Sequence, residues 1–506
     1  MKLFTVEQIR AWDAYTIQHE PVSSVDLMER AASVLTEWFL ARHGSGSVAE
    51  GRATPQQVLV FCGKGHNGGD GLVVARLLLL AGWPVAVFVV RHAAQPSADF
   101  QINLERFEKL GTVQWIESQN PVFPEIQPDA LIIDALLGLG LNRPASGILA
   151  ETIRRINTSG AFVISVDIAS GLFADAPNGP DDPIVRPTHT VTFQRPKLAF
   201  LQPKLSEFVG EWHVLDIGLS SEFDQKTATS FSLTDASDIH RLNKPRSTFS
   251  HKGTYGHALL LVGSFGKIGA AVLAARACLR SGVGLLTVQV PGCGYDILQI
   301  GAPEAMCLVD PDPQRHTTVP DLSNYQAVGV GPGLGKDEPT KAFLEELLEK
   351  VSAENIPLVL DADALNLLSE NENLRQKLPP GSLLTPHPKE FERLAGPWTN
   401  DFEKLNLLKE FCQKHRVVVT LKGAYTAIGT PEGTVHFNTT GNPGMATGGT
   451  GDVLTGVLTA LRAQGFSPVE AAVFGVYQHG LAGDRAAQLR GQSALVAGDL
   501  VEHLGW

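Results

Sequence analysis

The chain has 506 residues, 43% hydrophobic and 19% charged, which suits a globular protein of about two to four domains and excludes a disordered one. Its formal net charge of −12 leaves no basic surplus to neutralise phosphates, which argues against a nucleic-acid binder. The five cysteines (Cys62, Cys278, Cys293, Cys307, Cys412) are odd in number and hold no CxxC pair, so a disulfide framework or a zinc site is not expected and a cytoplasmic location is.

Thr5 and Gln8 have capping-box spacing, which predicts a helix from near Val6. Glu7 and Asp13 interrupt any apolar core of signal-peptide type, so no targeting segment is expected. The most apolar stretch, 72–90, carries Arg76 and breaks at Gly82-Trp83-Pro84; it reads as buried helix, turn and strand, not as a membrane span. From residue 57 short apolar runs at 57–62, 84–90, 130–134, 161–167, 188–193 and 213–217 alternate with helical stretches. That alternation predicts a parallel α/β sheet, whose site lies at the carboxyl ends of its strands, where Asp134 and Asp167 fall. Between 219 and 249 Ser, Thr and Asp become dense and periodicity fades, which predicts a linker and a boundary near 225. A second series of strands follows at 258–262, 284–290, 327–330, 357–360, 382–384 and 417–421, so domains over 1–225 and 226–506 are expected.

Residues 63–71 read Gly-Lys-Gly-His-Asn-Gly-Gly-Asp-Gly between a strand and a helix. Gly63, Gly65 and Gly68 have the spacing that lets backbone amides approach a pyrophosphate, although an ordinary dinucleotide loop or a tight turn would look the same. The strand at 84–90 is followed by Arg91, not by the ribose-binding acid of a conventional dehydrogenase. Asp134, the loop 138–144 and Val166-Asp167-Ile168-Ala169-Ser170-Gly171 converge on the same sheet edge. Their oxygens suit a hard cation such as potassium better than zinc, while helix capping is the plainer role for either Asp.

Leu27-Met28-Glu29-Arg30-Ala31, GKGHNGGDG, Asp134-Ala135-Leu136-Leu137-Gly138 and VDIASG resemble the NAD(P)H-hydrate epimerase family over roughly the first 220 residues. The resemblance implies a Rossmann-like three-layer domain. It implies that His66, Asn67, Gly68, Gly69, Asp70, Gly138, Leu139, Gly140, Leu141, Asn142, Arg143, Pro144 and Asp167 contact the hydrate. It also implies that Asn67, Asp134 and Ser170 hold potassium. His66 stands where the family often has Asn, and Ala169 where Pro is common.

The C-terminal half carries TTGNPGMATGGTGDVLTG at 439–456, a glycine run entering an apolar helix, which makes an amide-lined anion hole. Asp452 follows directly; it could cap the helix, or act as the base that deprotonates an attacking hydroxyl beside a phosphoryl group. His387 between prolines could only stiffen a turn, Lys422-Gly423 could be a plain hairpin, and Lys389, Glu390 and Glu392 could be solvated charge. The glycine run resembles the ribokinase-like superfamily. With GSFGKIGAAVLAARACLRSGVGLLTV (263–288), VGPGLG (330–335), DADALN (361–366), TPHPKEF (385–391) and LKGAYT (421–426) it is similar to the ADP- or ATP-dependent NAD(P)H-hydrate dehydratases, over about 240–506.

By that resemblance Ala270, Gly333, His387 and Asp452 contact the hydrate, and Lys422, Gly423, Ala424, Tyr425, Thr426 and Gly451 contact ADP or ATP, with magnesium on its phosphates. Together the halves imply a bifunctional NAD(P)H-hydrate repair enzyme, an isomerase fused to a lyase, with Asp452 and Asp167 catalytic. The expected partners are NAD(P)H hydrate and ADP or ATP, with no nucleic acid and no membrane, and the expected assembly is a homo-oligomer. A small-molecule kinase of the ribokinase superfamily and a non-catalytic nucleotide-binding scaffold are the rival readings.

Overall fold

The computed structural model describes residues 1–44, 56–92 and 95–506. The chain forms two compact units, one of Lys2–Thr229 with Asn400–Phe402, the other of Met1, Ser230–Thr399 and Glu403–Trp506. Among the described residues no helix is long and apolar enough to cross a membrane.

The first unit opens with α1 (Val6–His19), whose capping box is made: Gln8 N donates to Thr5 Oγ1 and Thr5 N to Gln8 Oε1. Then come α2 (Ser24–His43), β1 (Val58–Cys62), α3 (His66–Leu80), β2 (Val85–Val90), α4 (Ala98–Glu108), β3 (Val113–Ile116), β4 (Leu131–Ala135), α5 (Gly147–Thr158), β5 (Phe162–Val166), β6 (His189–Phe193) and β7 (Glu211–Leu215). Seven strands lie in the order β3-β2-β1-β4-β5-β6-β7, every neighbouring pair parallel. Alternate residues of β1 serve opposite faces, as the two-residue strand period requires. Val58, Val60 and Cys62 pack with Leu35, Phe39, Leu72 and Leu78 from α2 and α3; Leu59 and Phe61 pack with Leu149, Ile153 and Ile156 from α5. Helices therefore cover both faces. The strand order reverses between β1 and β4, and a crevice forms beyond the carboxyl ends at such a point. Close approach fixes the glycines there: a Cβ on Gly68 would lie 1.9 Å from the Gly63 carbonyl oxygen.

In the second unit β8 (Phe231–Leu233), β9 (His257–Leu261), β10 (Leu285–Pro291), β11 (Met306–Asp310), β12 (Ala327–Val330), β13 (Leu358–Leu360), β14 (Leu383–Leu384), β15 (Val418–Leu421), β16 (Ala427–Gly429) and β17 (Val435–Phe437) join one sheet. The order is β8-β17-β16-β15-β14-β13-β12-β9-β10-β11, parallel except for the antiparallel pairs β15–β16 and β16–β17. α6 (Ile268–Arg280) and α10 (Thr450–Ala463) pack so tightly that a Cβ on Gly456 would lie 2.2 Å from the Ala274 carbonyl oxygen. Three further helices matter for the site: α7 (Glu338–Glu354), α8 (Ala362–Glu370) and α9 (Pro388–Ala395).

One expectation needs correction. The stretch 219–249 is not plain linker: it holds β8 and short helices at Ser221–Lys226 and Ala236–Leu242, the latter capped by Asp235. Capping and pairing of β8 with β17 supply the order that its polar composition hides. Asp134 is the penultimate residue of β4, at the carboxyl end as expected, and has no exposed surface.

Candidate active sites

In the first unit a cavity of about 1220 Å³ opens at the carboxyl ends of the strands, lined by α1, the start of α3, the loop 136–149, Asp167 and Lys197. α3 begins at His66 with no side chain capping it, so the first-turn amides of a helix and its positive dipole end face this space. His66, Asn67, Asp70, Gly138–Pro144 and Asp167 all line the cavity. Gly68 and Gly69 do not: a Cβ on Gly68 would strike Gly63 and one on Gly69 would meet Met28 Sδ at 2.6 Å, so both pack inward. His66 turns to Asp99, with Nδ1 3.2 Å from Oδ2, an oxygen that also accepts from Ser24 Oγ at 2.6 Å.

Asn67, Asp134 and Ser170 meet around one backbone segment. Asn67 Nδ2 donates to the Leu137 carbonyl at 2.9 Å and Ser170 Oγ to the same oxygen at 3.2 Å. Asp134 Oδ2 accepts from Ser170 N at 2.9 Å and from Ser165 Oγ at 2.7 Å. Burial still raises the Asp134 carboxyl above its usual range, although these hydrogen bonds pull it down. A fully buried carboxylate with hydroxyl and carbonyl oxygens around it is a hard, oxygen-only donor set that a monovalent cation would balance.

Asp167 has left-handed backbone, φ 63°, directly after β5. Its Oδ1 accepts from Thr192 Oγ1 at 3.0 Å, Phe193 N at 3.0 Å and Lys197 Nζ at 2.7 Å. Asp13, on α1, faces the same space. Burial and then the Asp167 charge raise its carboxyl to about 7, against the pull of Lys197. Burial raises Asp70 well above the usual range too, reinforced by Asp167, Asp13 and Asp99. Carboxyls crowded in a desolvated cleft can hold a proton at neutral pH, which is what acid catalysis there requires.

In the second unit the glycine run becomes the start of α10. Gly449, φ 93°, occupies the cap position, and Thr450, Gly451 and Asp452 form the first turn. Burial first, then Asp361 and Asp363, raise Asp452 to about 6; Lys422 opposes them. Lys422 Nζ donates to Asp361 Oδ1 at 2.9 Å, and Thr455 Oγ1, one turn beyond Asp452, donates to Asp361 Oδ2 at 2.8 Å. Burial opposes the charge on Lys422, but Asp361 and Glu390 outweigh it and raise its ammonium pKa. A Cβ on Gly451 would lie 3.4 Å from Lys422 Nζ, so the glycine sits against the ion pair.

Residues 422–426 do form a hairpin turn between β15 and β16, with Tyr425 at φ 52° and Thr426 Oγ1 donating to Gly423 O at 2.9 Å. His387 caps α9: Lys389 N and Glu390 N donate to its Nδ1 at 3.1 and 3.2 Å. An Nδ1 that accepts two bonds leaves the ring proton on Nε2, 3.4 Å from Glu390 Oε1. The turn is tied to this cap, because Lys422 N donates to Pro386 O at 2.9 Å. Gly333, φ 64°, packs against Lys267 and Ala270, whose Cβ a side chain there would meet at 3.3 Å. The capping role of His387 and the hairpin role of 422–426 thus coexist with the Lys422–Asp361 pair beside Asp452.

The family models match in the same two regions: residues 24–199 fit the YjeF-related protein N-terminus and residues 258–504 fit NAD(P)H-hydrate dehydratase. The bifunctional NAD(P)H-hydrate repair enzyme Nnr of Moorella thermoacetica is 37% identical over 519 aligned residues, covering 100% of this chain and 96% of that protein. The chain belongs to the bifunctional NAD(P)H-hydrate repair enzyme family. Repair enzymes of that name from Coxiella burnetii (35% identical, 99% of this chain, 98% of that one) and Escherichia coli (34%, 88% and 84%) are also similar. Among solved structures, an ADP/ATP-dependent NAD(P)H-hydrate dehydratase from Bacillus subtilis, co-crystallised with ATP/Mg2+, is 30% identical with TM-score 0.47, covering 55% of this chain and 97% of that one.

In this repair-family chain sequence reasoning missed Asp13, Lys197, Asp361 and Thr455. Lys197 is 1% exposed, and Asp361 opens the DADALN stretch at 1% exposure. A buried charge of either sign is rare without a task, but burial is not visible in a sequence.

Proposed function

We propose that the chain restores hydrated NADH and NADPH in two steps, its first unit interconverting the R and S hydrates and its second dehydrating the S form. The carrying observation is Asp452 in the first turn of α10, its carboxyl raised to about 6 by burial and by Asp361, beside the Lys422–Asp361 pair. A base with a pKa near the working pH accepts a proton efficiently.

In the second unit Asp452 takes the proton of the hydroxyl on ring carbon 6 of the hydrate. The freed oxygen attacks the terminal phosphorus of ADP or ATP; the new O–P bond forms as the bridging O–P bond breaks, and AMP or ADP leaves. The ring-nitrogen lone pair then expels phosphate with the carbon–oxygen bonding electrons, and loss of a neighbouring ring proton restores the dihydropyridine. The α10 amides and Lys422 hold the phosphoryl oxygens, and the 422–426 turn holds the nucleotide. Ala270, Gly333 and His387 hold the hydrate. Asp361 and Glu390 offer hard carboxylate oxygens near Lys422, where magnesium would neutralise phosphate charge.

In the first unit Asp13, its carboxyl raised to about 7, holds the proton, and Asp167 is its acid/base companion in the cavity. That proton goes to the hydroxyl, which leaves as water while the ring nitrogen carries the positive charge; water returns to the other face and gives its proton back. Asn67, Asp134 and Ser170 would hold potassium, which supplies positive charge beside the buried Asp134. All five cysteines are free, in keeping with a reducing cytoplasm.

The kinase alternative is tested directly. NADH hydrate with ADP should yield NADH and free phosphate in equal amounts; a stable phosphorylated hydrate with no free phosphate would replace this reading by a kinase.

A further inference from the structure

β6 and β7 carry a second cluster that the hydrate chemistry does not use. In the parallel register His189 faces Glu211, and His213 lies two residues on from Glu211, on the same side of the sheet. His213 Nε2 is 3.0 Å from His189 Nδ1. Glu211 Oε2 is 3.7 Å from His189 Nδ1, and Glu211 Oε1 is 3.5 Å from His213 Nε2. Ligand atoms around a tetrahedral zinc ion, each about 2.0–2.1 Å from it, are separated by about 3.3 Å. The three separations bracket that value.

The setting suits an ion as well. His189 and His213 sit on adjacent strands of a sheet, so little ordering is needed to bring their nitrogens together. The Trp38 ring packs against both imidazoles, 4.9 Å from His213 and 5.6 Å from His189. Their side chains are 10% and 19% exposed, whereas Glu211 is 62% exposed and leaves the cluster open to solvent for entry. Arg42 Nη2, 3.4 Å from Glu211 Oε1, is the one cation in contact with the carboxylate among the described residues, and it is itself 42% exposed and able to swing away. The cluster lies at the starting ends of β6 and β7, whereas Phe193, Gln194 and Arg195 at the far end of β6 line the catalytic cavity.

We propose that His189, Glu211 and His213 form a binding site for a borderline divalent transition ion of the zinc class, which clasps the edge strand β7 to β6. Two imidazoles and one carboxylate select zinc, cobalt, nickel or copper over magnesium or potassium. The fourth position is open to water.

The test uses untagged full-length protein stripped with chelator and then titrated with zinc by calorimetry and with cobalt by visible absorption. The wild type should bind one zinc per chain at this site, give the intense cobalt bands of a four-coordinate ion, and melt at a higher temperature with zinc. Glu211→Gln, at an exposed position that leaves folding intact, and His213→Gln should each weaken zinc binding at least about tenfold and remove the cobalt bands. Equal affinity and stoichiometry in wild type and both variants would place any bound zinc elsewhere and overturn the site, as would no binding by the wild type.

Discussion

Replacing Asp452 by Asn should make the protein more stable and inactive in dehydration at once. The carboxyl is raised from 3.8 to about 6. That is roughly two pKa units, or about 3 kcal/mol as an upper bound for a group that is not wholly buried. The folded chain holds this proton more tightly than the unfolded chain does. The ionised form therefore costs stability at every pH above about 6, and the cost fades as pH falls towards 3.8. The amide keeps the shape and removes the charge, so at pH 7.5 the second unit of Asp452→Asn should melt several degrees higher, at about 2–4 °C per kcal/mol. The gap should close by about pH 4. Turnover should fall by about 10²–10⁴-fold, the usual worth of a general base, with nucleotide affinity nearly unchanged. Calorimetric melts across pH and single-turnover NADH recovery would check both halves. Near-normal turnover at saturating nucleotide would refute the base assignment; equal melting temperatures at pH 7.5 would refute the reasoning from burial.

Asp134→Ala should impair epimerisation and spare dehydration, and potassium titration of epimerisation should lose its response; an unchanged response removes the cation from Asp134. The proton held by Asp13 to about pH 7 should make wild-type epimerisation decline above that pH, and Asp13→Asn should be slower and lack that limb, as hydrate interconversion followed by chromatography would show. Lys422→Met leaves the buried Asp361 without its cation and should cost about 3–5 kcal/mol in denaturant unfolding while raising the KM for nucleotide. Unfolding at wild-type denaturant concentration would mean that the pair is not the anchor described here.

The parts of the sites that a reader of the sequence can find are those concentrated in short runs. The 63–71 loop and the 439–456 run each pack glycines, an amide or hydroxyl and an acid between a strand and a helix, and glycine density is informative because close backbone approach excludes other residues. Asp13 had no such mark. On α1 it reads as one more polar residue of a capped helix, and only the fold carries it across to Asp167. Asp361 and Lys422 are 61 residues apart in sequence, and their pairing depends on two parallel strands separated by one other in the sheet. Strands β3, β8, β11, β16 and β17 escaped for a different reason. They are short or lie towards the sheet margins, and a run as brief as Met306–Asp310, though apolar, is not assigned to a strand by periodicity alone.

The division of labour is tested most directly by the NADH recovered from a mixture of both hydrate epimers with excess ADP or ATP. The wild type should carry the mixture to completion in one continuous course. Full-length Asp167→Asn should recover the S share at the wild-type rate, then slow to the pace of spontaneous epimerisation. Recovery of both epimers by that variant as fast as by the wild type would contradict the account.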